Sequence, residues 1–252
     1  MKEFIEKISR EAGKLALGFY TQNFTVSNKT DRLDLLTSAD VAVSEFLVDA
    51  IHVKFPDHHI HSEEMAVDIN PGAEYEWVID PIDGTWNFAN HIPIWGSLIA
   101  LEYKGETKYA GMYFPIDDFF FWAEKDQGAF CNGNPIKVSS HVELQAAVGT
   151  NSTSSQYARA EAISLLWKKL YDRKARIRNH GCMYGTALVA NGRMDFFITN
   201  IGKDHDYLAP ALLVREAGGI VSNTLGQEWK RGMEDFMIAN PAIHKQLMEL
   251  LK

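Results

Sequence analysis

Two aspartates in one short turn are the residues best suited to chemistry in this sequence. An apolar run that begins at Trp77 ends on Asp80, and Asp83 follows three positions later. Two carboxylates at this spacing on a rigid turn can share a hard cation. Gly84 permits a close or left-handed backbone, so its amide and that of Thr85 can point at an anion. Aspartate-rich turns usually serve hydrogen bonding alone, but the strand, proline, glycine and threonine together favour a cation site beside a phosphate site.

Acidic residues elsewhere in the chain could join this site. Glu63 and Glu64 follow a short predicted strand, and adjacent acids repel each other unless a positive charge lies nearby. Asp206 opens a predicted helix. Each has a simpler explanation, because paired acids commonly lie in a solvated turn and an aspartate at a helix start is commonly an N-cap. Spacing alone does not decide whether these acids join the cation site or have only a structural role.

The elements that would carry these residues alternate between helix and strand. Helical periodicity covers residues 3–22 and 38–55, the second with capping residues at Thr37, Ser38 and Asp40. Residues 96–130 are rich in aromatic and β-branched side chains, as in an antiparallel sheet. The remaining predicted elements are a strand over 58–61, helices over 157–171, 182–191, 206–217 and 241–251, and a strand over 194–198. This order predicts a mixed α and β (α+β) fold of stacked layers.

No Pro- or Gly-rich linker and no internal repeat divides the chain. If two halves exist, they meet near residues 138–146. The N-terminal half, 1–140, would then carry most candidate metal ligands. The C-terminal half, 141–252, would carry Asp206 and the substrate-side pocket. A length of 252 residues suits one such compact unit.

Composition excludes several classes of protein. Apolar residues make up 46% and charged residues 23% of the 28.4-kDa chain, as in ordinary globular proteins. No run approaches the roughly 20 apolar residues of a membrane helix, and the charged N-terminus is unlike a cleaved signal peptide. A net charge of −8 argues against general nucleic-acid binding. Two cysteines without a CxxC pair predict a reduced, cytoplasmic setting.

Five motifs follow one another along nearly the whole chain. They are Leu36-Thr37-Ser38-Ala39-Asp40, Ser62-Glu63-Glu64, Asp80-Pro81-Ile82-Asp83-Gly84-Thr85 with Asn87-Phe88, Gly128-Ala129-Phe130-Cys131-Asn132-Gly133, and Asp206 with Ala209 and Glu216-Ala217-Gly218-Gly219. In type and order they resemble the motifs of the inositol monophosphatase family. These are Mg²⁺-dependent, lithium-sensitive phosphatases, and the group also holds fructose-1,6-bisphosphatases and bisphosphate nucleotidases. The motif over 80–88 is the most specific.

The resemblance implies a five-layer αβαβα sandwich of the sugar-phosphatase type and a site for two or three Mg²⁺ ions. Glu63, Asp80 and the carbonyl of Ile82 would hold one ion. Asp80, Asp83 and Asp206 would hold a second, and Glu63 would support a third through waters. Mn²⁺ would serve as a substitute.

The resemblance also implies the catalytic and phosphate-binding residues. Asp40 and Thr85 would orient or deprotonate the attacking water, and Glu64 would lie beside it. Asp83, Asp206 and the amides of Gly84 and Thr85 would contact the phosphorylated substrate, and Lys29 matches a lysine often found near such a site. The expected reaction is Mg²⁺-dependent hydrolysis of a small phosphomonoester, inositol 1-phosphate being the family's example, by a metal-activated water and without a protein nucleophile. A homodimer is expected as well.

Three positions depart from the family pattern and bear on the substrate. His205 precedes Asp206 where the family has tryptophan, and it is expected to cap the helix at the surface. Thr199 stands where inositol-cleaving members carry a glutamate that binds ring hydroxyls. Gly181-Cys182-Met183 replaces Gly-Ser-Ala, which puts a bulky side chain at the substrate-facing position. Met183 and Thr199 are therefore expected to line a pocket with altered specificity.

Other functions stay open. The same chemistry could act on 3′-phosphoadenosine 5′-phosphate, histidinol phosphate, fructose-1,6-bisphosphate or NADP. A covalent aspartyl-phosphate mechanism is disfavoured, because Asp80 lies three residues before Asp83 and not two. A regulatory binding protein that keeps the phosphatase fold is the non-enzyme alternative, since some bacterial relatives are thought to bind transcription machinery. The intact set of acidic residues favours an enzyme.

Two further patterns have structural explanations. His58, His59 and His61 could suggest a transition-metal site, but alternation along a strand puts His59 and His61 on one face and His58 on the other. The aromatic run Phe119–Trp122 is expected to lie in the core of a sheet.

Overall fold

Two β-sheets and the helices that cover them make up the fold. The computed structural model describes residues 1–22, 24–28, 35–151 and 157–251. Its helices are α1 (Lys2–Tyr20), α2 (Ser38–Lys54), α3 (Thr85–Ala89), α4 (Tyr157–Asp172), α5 (Tyr184–Ala190), α6 (Asp204–Glu216) and α7 (Pro241–Leu251). Its strands are β1 (Val26–Asn28), β2 (Leu35–Thr37), β3 (His59–Ser62), β4 (Tyr75–Asp83), β5 (Gly96–Tyr103), β6 (Glu106–Phe114), β7 (Phe119–Glu124), β8 (Gly128–Cys131), β9 (Asn134–Ile136), β10 (Val148–Asn151), β11 (Arg176–Arg178), β12 (Phe196–Thr199), β13 (Ile220–Ser222) and β14 (Phe236–Ala239). Within the described part, no helix has the length and apolar character needed to span a bilayer.

The larger sheet has seven strands in the order β3-β4-β5-β6-β7-β8-β9. β3 and β4 run parallel, and the other neighbours are antiparallel. On one face, Trp77 packs in an apolar cluster with residues of α1 and α2 such as Ile5 and Leu47. On the other face, Val78 packs in a second cluster with Leu212 of α6. Neighbouring residues of a strand point to opposite faces, so this sheet separates two helix layers.

The smaller sheet has five strands in the order β11-β10-β12-β14-β13. Phe197 of β12 faces α5 and α6, whereas its neighbour Phe196 packs with Leu170 of α4 and Ile243 of α7. The layers are therefore α1 with α2, the seven-stranded sheet, α5 with α6, the five-stranded sheet, and α4 with α7. The predicted α+β class is confirmed, and the layers follow the αβαβα order. The aromatic run Phe119–Trp122 falls in β7, and its last three residues are buried as expected.

α6 lies between the two sheets and connects them. Its apolar residues share one cluster with Val78 and Met112 of the larger sheet and with Phe236 of the smaller one. The cluster therefore contains residues from both sides of 138–146. Because α6 packs against β4, the first turn of this helix can present Asp206 to the end of that strand.

Two helix starts differ from the sequence prediction. The helix predicted from residue 182 begins at Tyr184, which leaves Cys182 and Met183 in the loop before it. The helix predicted from Asp206 begins at Asp204, which places His205 inside the first turn. The antiparallel pair β1–β2 and strands β9, β10, β11, β13 and β14 were not predicted, because three or four residues are too few for a periodic pattern to be recognised.

Candidate active site

The end of β4 carries two of the predicted metal ligands. Asp80 and Asp83 are only 3% and 4% exposed. In a regular strand, residues three apart point to opposite faces, but the pairing of β4 with β5 shifts register between these two aspartates. This bulge lets both carboxylates reach the same place. The hydroxyl of Ser97 donates to the carbonyl of Pro81 (2.7 Å) and holds the bulge.

Asp206 reaches the same place from α6. It is the third residue of that helix, and its Oδ2 accepts a hydrogen bond from the backbone N–H of Lys203 (2.7 Å). Asp80, Asp83 and Asp206 each offer a carboxylate oxygen, and these oxygens lie within 4.8 Å of one another. Among the residues that the structure describes, no other group of three or more His, Cys, Asp or Glu side chains meets this distance. We call these three residues the aspartate cluster.

The aspartate cluster is electrostatically unfavourable without a cation. Burial, and then the charges of Glu63 and Asp83, raise the pKa of Asp80 well above its usual range. Burial and the charge of Asp206 raise the pKa of Asp83, although a hydrogen bond from the N–H of Met183 opposes this. Burial also raises the pKa of Asp206. A divalent cation removes this mutual repulsion by binding the ionised carboxylates.

One oxygen of the cluster is well placed to bind such a cation. Oδ1 of Asp80 is buried and has no hydrogen-bond partner among the described residues. A buried polar atom without a partner costs free energy, and carboxylate oxygens are the ligands that Mg²⁺ and Mn²⁺ prefer. The residues present therefore fit either ion.

Glu63 lies at the edge of the aspartate cluster, and Glu64 is its neighbour in the chain. Glu63 follows β3, and its backbone N–H donates to the carbonyl of Ile79 in β4 (3.0 Å). Its charge raises the pKa of Asp80 and of Asp83, but its carboxylate is outside the group that lies within 4.8 Å. Glu64 is half-buried beside it. Glu63 therefore adds negative charge at one side of the cluster, and the role expected of Glu64 stays a prediction.

Thr85 is held by an aspartate from a different element. Its hydroxyl lies 3.0 Å from Oδ1 of Asp40 and 3.1 Å from the carbonyl of Ile82, either of which can accept its proton. Asp40 is the third residue of α2, and its Oδ2 accepts from the N–H (2.8 Å) and the hydroxyl (2.5 Å) of Thr37. The charge of Asp40 also raises the pKa of Asp80. The capping box thus fixes Asp40 at the border of the aspartate cluster with Oδ1 toward Thr85.

Gly84 turns the chain from β4 into α3. Its φ of +90° lies in the left-handed region, which glycine adopts without strain. A Cβ at this position would lie 3.0 Å from the Cβ of Cys182 and 3.3 Å from the carbonyl of Ile94. Glycine therefore provides both the turn and the room for the neighbouring loop. The role of the Gly84 and Thr85 amides as phosphate ligands stays a prediction.

The loop before α5 packs directly against Asp83. The N–H of Met183 donates to both carboxylate oxygens of Asp83 (3.0 and 2.8 Å). Nδ2 of Asn87 donates to the carbonyls of Ile94 and His180 (2.7 Å each), which ties this loop to α3. The sequence analysis assigned a role to the side chain of Met183 but not to its backbone N–H. Every residue type except proline has this N–H, so the residue type gives no sign that it is used. Asn87 could have indicated that a loop is anchored here, because it belongs to the most specific motif.

Cys182 fills the space beneath the same carboxylate. It is buried, and burial together with the charge of Asp83 raises the pKa of its thiol. A thiol in this environment stays protonated and unreactive. Cys182 is therefore a packing residue at the edge of the site.

Thr199 ends β12 inside the protein. It is 0% exposed, so its side chain offers no surface to a substrate. The contact expected between Thr199 and a substrate stays a prediction, and this burial does not favour it. Lys29, the lysine expected near the site, lies outside the described residues.

His205 is buried, so the expectation of a histidine at the surface is wrong. It is 8% exposed, and its Nε2 lies 3.9 Å from Oε2 of Glu63 and 3.7 Å from Oδ2 of Asp206. Its ring lies 6.4 Å from that of His61 at an interplanar angle of 21°. The expectation failed because α6 begins two residues earlier than the sequence indicated, which turns His205 toward Glu63.

The three histidines near β3 separate as strand alternation predicts. His59 and His61 both hydrogen-bond Asp68, at 2.9 and 2.8 Å. His58 instead stacks on Tyr75, with ring centroids 4.6 Å apart. In the described part of the chain these histidines join no group close enough to share an ion. They hold the segment after β3 in place.

Comparison with known proteins gives one consistent family. The sequence profile of the inositol monophosphatase family matches residues 1–252. A fructose-1,6-bisphosphatase/inositol-1-monophosphatase of Thermotoga maritima is 31% identical over 250 residues, which cover 99% of this chain and 94% of that protein. The Nus factor SuhB of Escherichia coli is 32% identical over 247 residues, which cover 96% of this chain and 92% of that protein.

Solved structures agree with the sequence relatives. The extragenic suppressor protein suhB of Bartonella henselae superposes on this chain with a TM-score of 0.95 at 27% identity. The match covers 100% of this chain and 98% of that one. The whole fold is therefore shared, including the elements that carry the aspartate cluster.

Proposed function

Because this chain belongs to the inositol monophosphatase family, we propose that it is a Mg²⁺-dependent phosphatase that hydrolyses a small phosphomonoester. The observation that carries the proposal is the aspartate cluster with Thr85 and Asp40 at its border. A cation site and a group able to take a proton from water are thus combined in one place. Phosphate monoesters hydrolyse very slowly without such charge stabilisation, so a phosphatase of this type needs both.

The aspartate cluster would hold Mg²⁺, with the carbonyl of Ile82 and the carboxylate of Glu63 as further ligands. That carbonyl lies near the hydroxyl of Thr85 and has a second lone pair. Glu63 lies at the edge of the cluster and suits a more peripheral ion, so we expect two or three ions to bind. Mn²⁺ would substitute for Mg²⁺ because it takes the same oxygen ligands. When bound, Mg²⁺ lowers the pKa of water and neutralises charge on phosphoryl oxygens. Li⁺ is expected to inhibit, as in the family.

Thr85 and Asp40 would take the proton of the attacking water. Oγ1 of Thr85 accepts the water's proton while its own proton passes to Oδ1 of Asp40, 3.0 Å away. Thr37 holds the other oxygen of Asp40, so the acceptor cannot rotate away. Glu64 would help to orient the water. A covalent phosphoenzyme trapped from labelled substrate would contradict this mechanism.

The substrate's phosphate would lie against Asp83, Gly84, Thr85 and Asp206, and its identity depends on what surrounds them. Met183 uses its amide to hold Asp83, and Thr199 is fully buried. Neither position supplies a carboxylate for ring hydroxyls. A site that lacks a hydrogen-bonding group for a hydroxyl discriminates less strongly for it. We therefore keep inositol phosphates as one substrate class among several.

The direct test is release of inorganic phosphate from inositol 1-phosphate, 3′-phosphoadenosine 5′-phosphate, histidinol phosphate, fructose-1,6-bisphosphate and NADP, with Mg²⁺ and with a chelator. We expect Mg²⁺-dependent release from at least one of them and none with the chelator. Asp83→Asn should abolish release. Asp118→Asn, which changes a carboxylate outside the cluster that is paired with Arg10, should not. Release that is equal in the chelator would contradict the proposal.

A regulatory role is the second candidate function. One finding favours it: a relative that is 32% identical is named a Nus factor. If binding were the function, a partner would be retained equally by the unmodified protein and by Asp83→Asn, and the unmodified protein would release no phosphate. Partner binding that coexists with Mg²⁺-dependent release would leave the phosphatase proposal in place.

We further propose that the protein is a cytoplasmic homodimer. The resemblance to the family supports the dimer, and the free cysteines Cys131 and Cys182 suit a reducing compartment. Size-exclusion chromatography with light scattering is expected to give about twice the chain mass of 28.4 kDa. A monomer at all concentrations would contradict the dimer.

A further inference from the structure

Arg231 lies between the seven-stranded sheet and the first residue of α6. Its Nε donates to Oδ2 of Asp204 (3.0 Å). Its Nη atoms donate to both carboxylate oxygens of Glu76 (2.6 Å each), and Nη1 also donates to Oε2 of Glu102 (2.5 Å). The N–H of Gly232 donates to Oδ1 of Asp204 (2.7 Å). One guanidinium group thus joins carboxylates from β4, β5 and α6.

The sheet presents a pair of like charges that this guanidinium bridges. Glu76 and Glu102 lie directly opposite each other on β4 and β5, and like charges at opposite positions destabilise a sheet. The side chain of Glu102 is 2% exposed, so water cannot screen it. Among the described residues, Arg231 is the one cation within ion-pair distance of Glu102. The planar fork of arginine also matches the carboxylate of Glu76 in a way that lysine cannot.

These contacts fix the start of α6 relative to β4. Glu76 lies four residues before Asp80 on β4, and residues at this spacing point to the same face of a strand. Asp204 lies two residues before Asp206 in the first turn of α6. The hydrogen bond from the N–H of Lys203 holds Asp206 within the helix start, but it does not tie the helix to the sheet. Apolar packing holds the body of α6 against β4, and the contacts of Arg231 tie the first turn of the helix, which carries Asp206, to the same strand.

We propose that Arg231 is a positioning residue, which holds Asp206 in the aspartate cluster and thereby sets the affinity of the cluster for its cation. The inference rests on the proposed function, because it concerns the cation that the phosphatase needs. Without a cation, repulsion within the cluster pushes Asp206 away from Asp80, and the link from Arg231 to Asp204 opposes that movement. Partners that orient metal ligands from outside the ligand set typically change metal affinity by about 10- to 100-fold.

Three variants separate positioning from general stability. Arg231→Lys keeps the positive charge but loses the fork that joins Glu76 to Asp204. Asp204→Asn keeps the shape of the helix start and weakens the link from the other side. The matched control is Arg215→Lys, because Arg215 lies in the last turn of the same helix and donates to the carbonyl of Trp229 (2.8 Å), in the same loop as Arg231. It ties loop to helix at the end far from Asp206.

Calorimetric titration of the full-length, metal-free protein with Mn²⁺ tests the proposal. We expect Arg231→Lys to bind Mn²⁺ about tenfold more weakly than the unmodified protein, Asp204→Asn to show a smaller loss, and Arg215→Lys to stay within about twofold. Saturating Mg²⁺ should restore kcat of Arg231→Lys with the substrate KM unchanged, because excess cation offsets poor positioning.

Two results would overturn the positioning role. One is Mn²⁺ affinity within about twofold of the unmodified protein for both Arg231→Lys and Asp204→Asn. The other is an equal loss of affinity in Arg215→Lys. An unmodified protein that binds no Mn²⁺ would instead overturn the proposed function, so the two failures are distinguishable.

Discussion

At the scale of single residues, the site depends on which atom of each carboxylate is already bonded. Asp83 has both oxygens held by the N–H of Met183, which fixes its plane. Asp40 has one oxygen held by Thr37 and directs the other to Thr85. Oδ1 of Asp80 has no protein partner in the described part of the chain. These contacts orient the carboxylate oxygens that would bind a cation or a water. Because the side chains are already held, little rotational freedom is lost when the cation and the water bind.

Loss of one charge from the aspartate cluster should abolish activity without unfolding the protein. Asp83→Asn and Asp206→Asn are each expected to lower kcat/KM by at least about 10³-fold, since charge stabilisation in the transition state is the main catalytic term. The melting temperature in chelator should be unchanged or higher, because the raised pKa of each carboxyl means that the metal-free fold disfavours its charge, and the variant removes that charge. Calorimetry beside the phosphate-release assay checks both statements. Robust turnover in either variant would refute the assignment of the metal ligands.

The hydroxyl of Thr85 is expected to matter through its proton. Thr85→Val keeps the shape but cannot accept a proton or donate to Asp40, so kcat should fall by about 10²- to 10³-fold. Thr85→Ser keeps the hydroxyl and is the matched control, with a loss of less than about tenfold. Steady-state kinetics at saturating Mg²⁺ makes the comparison. Equal losses in the two variants would contradict a specific role for the hydroxyl, because Thr85→Ser retains it and Thr85→Val does not.

At the scale of elements, four separate segments meet at the site. The bulge at the end of β4 brings two aspartates together, the first turn of α6 adds a third, and α2 supplies Asp40. The loop over residues 181–183 closes against β4 and α3. The precise fit of that loop is possible because Gly84 has no side chain.

A pair of glycines tests this close approach. Gly84 and Gly72 have nearly equal φ values of +90° and +91°, but an added Cβ meets Cys182 at 3.0 Å in the first and nothing within 4 Å in the second. Both alanine substitutions are expected to cost roughly 1–3 kcal/mol of unfolding free energy through backbone strain. Only Gly84→Ala should also lower activity, because the loop that holds Asp83 must move. Denaturant unfolding and kinetics on both variants check this, and equal activity loss would contradict it.

The sequence predicted the long elements and the acidic residues better than the loops. β4 and α6 carry strong apolar patterns, and the aspartates follow from their motif, so the cluster could be predicted. The amide of Met183 could not, since backbone direction depends on where the loop before α5 lies and not on residue type. His205 was misplaced because Asp206 was taken as the first residue of its helix, whereas Asp204 is the first residue and accepts from Gly232.

At the scale of the whole molecule, two sheets and the helix between them bring carboxylates from distant parts of the chain into one buried place. The chain carries a net charge of −8, and in the aspartate cluster burial keeps water from screening the repulsion between neighbouring carboxylates. The fold therefore stores unfavourable electrostatic energy that a divalent cation relieves. Metal binding and global stability should consequently be linked.

This linkage predicts a specific pH dependence. Asp80, Asp83 and Asp206 have raised pKa values in the metal-free fold. Each group therefore stabilises the fold fully below the unfolded pKa of about 3.9, and this contribution is lost as pH rises through the higher folded pKa. Bound Mg²⁺ favours the ionised form, so the rise in melting temperature caused by Mg²⁺ should grow with pH across that window. Scanning calorimetry with Mg²⁺ and with chelator measures it, and a rise that is independent of pH would contradict the linkage.

The most direct test of the central claim is anomalous diffraction from crystals grown with Mn²⁺. If the aspartate cluster is a divalent metal site, an anomalous peak should lie between Asp80, Asp83 and Asp206, with metal–oxygen distances of about 2.0–2.3 Å. Crystals of Asp206→Asn grown in the same way should show a weaker peak or none. Saturating Mn²⁺ that gives no peak at the cluster, or peaks only elsewhere, would contradict the assignment on which the proposed function rests.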